Sequence, residues 1–175
     1  MAELSSRDRL QPSLLDRLID NEPQQQRETA DARVLSRQQL RAAVLRDLSW
    51  LFNDTRAEPE AKSQNTEALA LWQSMDFARR SVLNFGVPAF SGITLSSMDT
   101  LTIEREIAAS IRHFEPRIDP QTLSVEVKLD THDHHNTLQL IIRGQMWAQP
   151  VPLELLLAAD VDIETGSTRV RELRA

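Results

Sequence analysis

His132, His134 and His135 fall within a stretch of four residues, with Asp130 and Asp133 beside them. Imidazole and carboxylate groups are good ligands for zinc, nickel or copper. In an extended chain His132 and His134 would point to the same side. A transition-metal site is one reading of this cluster. A solvated polar loop is the plainer one, because short His-rich tracts are compositional hints only. The expectation is no physiological metal and no cofactor. Two carboxylate pairs come next. Glu115 and Asp119 flank a turn, and Asp160 and Asp162 alternate along a strand-like segment. Hydrolysis of a sugar bond needs two carboxyl groups facing each other at a defined separation. Neither pair supplies that geometry by its spacing.

Other chemistries are missing their parts. The chain has 0 Cys, which removes thiolate nucleophiles, disulfides and Cys-type metal sites together. No Ser sits in a Gly-x-Ser-x-Gly elbow. Glu106 and His113 are too far apart for a zinc-protease helix. With only 4 Gly, a Gly-rich phosphate loop is not expected either. The sequence therefore predicts a protein that is not an enzyme.

The segment that stands out is Phe114-Glu115-Pro116-Arg117-Ile118. Proline restrains the local backbone, so the charges of Glu115 and Arg117 are presented in a limited geometry. Arginine offers a planar fork that recognises carboxylates through two bonds. In one reading the two charges bond internally and tie a helix to a sheet. In the other, one or both are docking contacts for another protein. Asn84-Phe85-Gly86-Val87-Pro88 has a similar duality: a buried turn, or a turn that also shapes a binding surface.

These residues need elements to position them. Ser13 can cap a short helix in which Leu14, Leu15, Leu18 and Ile19 form one face. A helix of about eight residues is not stable alone in water, so this face must dock on the body or on a partner. Residues 21–28 are polar, contain Pro23 and read as a linker. Ser36 and Gln39 have capping-box spacing ahead of Leu40, Val44, Leu48 and Leu51, a helix ending near Asn53-Asp54. Arg37, Arg41 and Arg46 lie off that stripe. A shorter helix is expected over 67–80, with Leu69, Trp72 and Met75 or Asp76 on one side. Ile103, Ile107, Ile111 and Phe114 mark a helix over 102–114, with Glu104 and Glu106 placed in its first turn and Pro116 setting its stop.

The C-terminal third changes period. Val125, Val127 and Leu129 alternate with polar residues, as do Leu138, Leu140 and Ile142, which predicts a hairpin around a long loop. Residues 155–163 and 167–173 read as two further strands joined by a turn at Gly166. Helices first and strands last predict α+β, a small, mostly antiparallel sheet with helices on one face. Residues 1–30 read as an arm and residues 31–175 as one domain.

Composition sets the outer limits. A chain of 175 residues is one domain by length and buries about 70% of its unfolded surface. The net charge of -6 argues against a general nucleic-acid binder. The N-terminus is polar with no apolar stretch after it, and the longest apolar run, 155–159, is far below a membrane span. A cytoplasmic protein without membrane insertion is expected.

Taken in order, Ser13-Leu14-Leu15-Asp16-Arg17-Leu18, Asp47-Leu48, Leu51-Phe52-Asn53-Asp54-Thr55-Arg56, Asn84-Phe85-Gly86-Val87-Pro88, Ile111 to Ile118 and Asp162-Ile163-Glu164-Thr165-Gly166 resemble the TssE family. These are the baseplate wedge components of type VI secretion systems, similar to wedge proteins of contractile phage tails and called lysozyme-like in places. The Phe-Glu-Pro-Arg and Asn-Phe-Gly-x-Pro segments are the most specific parts. The His-rich loop departs from the family. The resemblance implies a fold akin to the handshake domain of sheath subunits and a structural role beside TssF, TssG and TssK. It implies that the first ring of the TssB–TssC sheath docks by main-chain pairing. Glu115, Pro116 and Arg117 then carry the sheath-docking signature. Leu14, Leu15, Arg17 and Leu18 are expected to meet a wedge partner, and Asn84, Phe85, Gly86 and Pro88 to shape the binding surface. A peptidoglycan or glycoside hydrolase is the competing reading.

Overall fold

The computed structural model describes residues 13–19, 24, 36–59, 65–90, 99–129, 137–147 and 152–173. Among the described residues five α-helices precede four strands: α1 Leu14–Leu18, α2 Arg37–Phe52, α3 Thr66–Ser74, α4 Asp76–Arg79, α5 Thr100–Phe114, β1 Ser124–Leu129, β2 Thr137–Met146, β3 Leu153–Asp162 and β4 Thr168–Glu172. A 3₁₀ turn, Val82–Asn84, lies between α4 and α5. The strands form one antiparallel sheet in the order β1-β2-β3-β4. This is the expected α+β architecture.

Helix starts follow from side chains that accept bonds from unpaired N–H groups of the first turn. Ser13 and Ser36 each close a capping box, with Asp16 and Gln39. The third long helix starts two residues earlier than its apolar stripe suggests, because Asp99 caps it by accepting from Thr102. Glu104 and Glu106 therefore lie beyond the first turn. They serve tertiary contacts instead: Glu104 Oε1 accepts from the Val127 N–H at 2.9 Å, and Glu106 pairs with Arg56 at 3.1 Å.

The single helix expected over 67–80 is two. Met75, with ψ of 68°, breaks it. None of the residues of α3 or α4 is buried, and Phe77 is 94% exposed. Their apolar spacing is local and finds no core among the described residues.

The core lies between the sheet and α2 with α5. Leu40, Val44, Leu48 and Leu51 from α2 and Ile103, Ile107 and Ile111 from α5 meet Leu138, Leu140, Ile142, Leu155, Leu157 and Val161. Full burial of each such side chain contributes about 1.5–3 kcal/mol. The other sheet face carries Ile141, Leu156 and Ala158 among polar side chains tied by cross-strand pairs, Arg143 with Glu126 and Asp160 with both Gln139 and Arg171. No helix among the described residues is long and apolar enough to cross a membrane.

Candidate functional site

The Glu-Pro-Arg corner is built at the end of α5. The Glu115 N–H still donates to Ile111 O at 2.8 Å, and the Ile118 N–H turns back onto Glu115 O at 3.2 Å. The chain then runs beside the end of β2. Trp147 N–H donates to Arg117 O at 3.0 Å, and Asp119 N–H to Gln145 O at 2.8 Å. Ile118 is buried against Gly144, where an added Cβ would stand 3.0 Å from its Cγ2. The corner is therefore fixed on both sides of Arg117.

Its side chains form a chain of alternating charges. Glu115 is 2% exposed. Its Oε1 accepts from Arg117 Nε at 2.6 Å and from the Arg117 N–H at 3.2 Å, and its Oε2 accepts from Nη2. The same Nη2 pairs with Asp47 on α2. Asp47 Oδ1 accepts from Arg46 Nε at 2.8 Å, and Arg46 Nη1 donates to Asp16 Oδ1 on α1 at 2.8 Å. The Arg46 guanidinium also stands 5.1 Å over the Trp50 ring. Glu115, Arg117, Asp47, Arg46 and Asp16 thus tie α5, α2 and the N-terminal helix together. Arg117 Nη1 is buried and has no hydrogen-bond partner among the described residues.

Burial alone would lower the Arg117 pKa. The bonds and charges of Glu115 and then Asp47 outweigh it and hold the guanidinium above its ordinary value. Burial would raise the Asp16 pKa, but bonds from Ser13 and Arg46 hold it below its ordinary value of 3.8. The sign follows: Asp16 stabilises the docked helix above its ordinary value, and that contribution is lost as pH falls through the lower docked value. With Trp72 and Trp147 replaced by Phe, Trp50 fluorescence is expected to report release of α1 in acid. Far-ultraviolet circular dichroism checks that the body remains folded at each pH. An Asp16→Asn variant should already show the released signal at neutral pH. Identical signals from the two proteins at pH 7 would show that the Asp16–Arg46 pair does not hold α1.

Beside the corner lies a pocket of about 200 Å³, lined by Leu15, Leu48, Leu51, Phe85, Phe114 and Glu115 among others. Phe85 meets Phe114 edge-on, with centroids 5.1 Å apart. The turn that delivers Phe85 is itself buried at Asn84, Gly86, Val87 and Pro88. Asn84 accepts from the Glu58 N–H at 2.9 Å and donates to Arg79 O at 3.2 Å. The bland reading of this segment, a buried turn, describes its backbone, and its one half-buried ring faces the pocket.

The N-terminal face is divided. Leu15 lines the pocket, whereas Leu14 is 75% and Leu18 73% exposed. Arg17 belongs to α1, but its side chain lies outside the described residues, as do His132, His134 and His135. Among the described residues no cluster of three or more ligating side chains could hold a metal. The carboxylates considered for catalysis have structural partners. Glu115 holds Arg117, Asp119 accepts from the Gln121 N–H at 2.9 Å, Asp160 holds Gln139 and Arg171, and Asp162 accepts from the N–H groups of Glu164 and Thr165.

Asp47, Arg46 and Asp16 were not legible as members of the site. An Arg-Asp pair on a polar helix face looks solvated, and only the fold brings it to Arg117. Trp50, one turn after Arg46, was the available hint, since residues four apart share a helix face.

A family model for the baseplate wedge protein gp25 matches residues 38–151. The chain belongs to this baseplate wedge family. The match takes in α2, the Asn84–Pro88 turn, α5, the Glu-Pro-Arg corner, β1 and β2. It leaves α1, β3 and β4 outside. No curated protein and no solved structure matches the chain. Membership makes it a component of a phage-tail-like baseplate. The wedge family is a structural one, and the side chains at the corner hold one another and α2 in place.

Proposed function

We propose that this wedge-family protein is a non-enzymatic, cytoplasmic baseplate subunit of a type VI secretion system that docks the first ring of the TssB–TssC sheath and helps start its polymerisation. The observation that carries the reading is Arg117. Of the two charges in the motif, Glu115 is sealed inside, while the Arg117 side chain keeps 22% of its surface. Two carboxylates fix its plane, so its exposed surface is held in one orientation. Glu115 and Pro116 then orient, and Arg117 touches. The exposed Leu14 and Leu18 give α1 an apolar face for a wedge partner among TssF, TssG and TssK. Asn84, Phe85, Gly86 and Pro88 hold the floor between the two surfaces, and residues 31–175 act as the wedge domain with 1–30 as its arm.

Arg117→Lys keeps the charge beside Glu115 but loses the fork. Tagged wild type from cells with an intact system should bring down wedge and sheath proteins. Folded Arg117→Lys should lose the sheath and keep the wedge proteins. Leu14→Asp/Leu18→Asp should do the reverse. Full sheath recovery with Arg117→Lys would remove Arg117 from the contact, and recovery of neither set with wild type would overturn the secretion-baseplate reading.

A further inference from the structure

The α1 helix has 5 residues, too few to be helical alone in water. It is formed while docked and lost when it leaves the body, so it is an element with two states. Leu15 holds it at the pocket, and Asp16 holds it to Arg46 Nη1 at 2.8 Å. Leu14 and Leu18, four apart and so on one side of the helix, stay 75% and 73% exposed in the docked state. A partner that covers them binds α1 without lifting it, and so favours the docked state.

The docked state also sets how the charges at the corner are shared. Arg46 lies between two carboxylates. Its Nη1 is with Asp16, while its Nε and Nη2 both stand 2.8 Å from the same oxygen of Asp47, Oδ1. The other oxygen, Oδ2, is left to Arg117 Nη2. Arg46 and Asp47 would not share in this way as an isolated pair. A guanidinium binds a carboxylate most strongly through two parallel bonds, one to each oxygen. Asp16 holds the far nitrogen of the guanidinium and keeps it off Oδ2. With α1 released, Arg46 is free to turn onto both oxygens of Asp47, in competition with Arg117. Arg117 then keeps Glu115 but loses the second carboxylate that fixes its plane. Without Asp16 the other four charges close into two separate pairs, Glu115 with Arg117 and Asp47 with Arg46.

We propose that α1 is a clasp on the sheath-docking corner: docked through Asp16, it keeps Arg46 off the Asp47 oxygen that pins Arg117, and a wedge partner covering Leu14 and Leu18 strengthens sheath binding by holding it down. Both sites bias the one two-state element, which is what coupling between them requires. The consequence is an order of assembly, in which a subunit seated in its wedge is the better ligand for the sheath. The isolated subunit docks α1 as well, so the wedge strengthens the sheath contact without being a condition of it. The inference rests on the docking reading above and adds what regulates it.

The test is side-chain nitrogen NMR of the full isotope-labelled chain, following rotation of the Arg117 guanidinium about its Nε–Cζ bond. Two variants are designed to release α1. Asp16→Asn removes the ion pair, and Leu15→Asn removes the apolar anchor without touching a charge. Trp50 fluorescence of the single-tryptophan protein checks the release. Arg117 is expected to rotate about fivefold faster in both variants. Arg56, paired elsewhere with Glu106, should rotate as in wild type. Affinity for purified TssB–TssC should fall about fivefold in both. Retention of α1 in both variants, or unchanged Arg117 rotation after its release, overturns the clasp. Faster rotation with wild-type sheath affinity overturns its control of docking. If wild type binds no sheath, the docking reading itself falls and takes that control with it, while the rotation rates still decide whether α1 pins Arg117.

Discussion

Replacing Arg117 with alanine is expected to destabilise the fold by roughly 3 kcal/mol. The reason is the carboxylate left behind. Glu115 is 2% exposed and takes its bonds from Arg117 through the backbone N–H, Nε and Nη2. Removing one partner of a buried pair typically costs 3–5 kcal/mol, because the other charge loses compensation without regaining water. The Arg117 side chain is 22% exposed, which places the effect at the low end of that range. Asp47 is buffered, since Arg46 holds its other oxygen. The double variant Glu115→Gln/Arg117→Ala removes the orphaned charge and should recover at least half of the loss. Urea unfolding followed by circular dichroism measures both. A wild-type midpoint for Arg117→Ala would mean that water already solvates Glu115, and that the corner is not held by this pair. The prediction also bears on function: loss of sheath in Arg117→Ala is ambiguous if the corner has loosened, which is why Arg117→Lys is the variant for docking.

Gly86→Ala should be at least as damaging, at about 3 kcal/mol or more. Gly86 has φ of 120°, which side-chain-bearing residues rarely adopt. A Cβ there would sit 2.6 Å from Asp54 O and 2.7 Å from Arg56 N, both backbone atoms that cannot swing away. The same two residues bond the turn, Asp54 O accepting from Val87 N–H and Arg56 N–H donating to Val87 O, each at 3.0 Å. Alanine would therefore push apart the contact that joins the end of α2 to Phe85 and the pocket. The melting temperature should fall by about 6–12 °C for a chain of this size. Gly166 is the control. Its φ is 72° but nothing lies within 4 Å of its Cβ position, so Gly166→Ala should cost only about 1 kcal/mol of backbone strain. Equal effects at the two positions would show that conformational strain, not close approach, governs Gly86.

The helix and strand pattern was largely legible because it is local. Ser36 with Gln39, the Ile103–Ile107–Ile111 stripe and Pro116 each act within a few residues of the chain. The alternation in the C-terminal third likewise follows from which side chains must leave water. Where reading failed, the deciding feature lay outside the apolar period, either a local cap or break or a distant contact. Asp99 starts α5 ahead of its apolar stripe, and Glu104 and Glu106 serve a strand edge and Arg56, not the helix end. The break at Met75 separates two helices that periodicity alone would join.

The site divides in the same way. The sequence by itself determined that Glu115, Pro116 and Arg117 form a restrained, charged corner at a helix end, that Gly86 sits in a tight turn, and that the architecture is α+β. Proline geometry, glycine freedom and hydrophobic period are properties of residues and their near neighbours. Only the tertiary structure decided that Glu115 is buried and Arg117 partly exposed, that Asp47, Arg46 and Asp16 complete the charge chain, and that Asn53 and Glu104 cap opposite edges of the sheet. Each of these depends on packing a helix against a strand or a second helix far away in sequence, where charge pairing and edge blocking arise from proximity that no spacing rule contains.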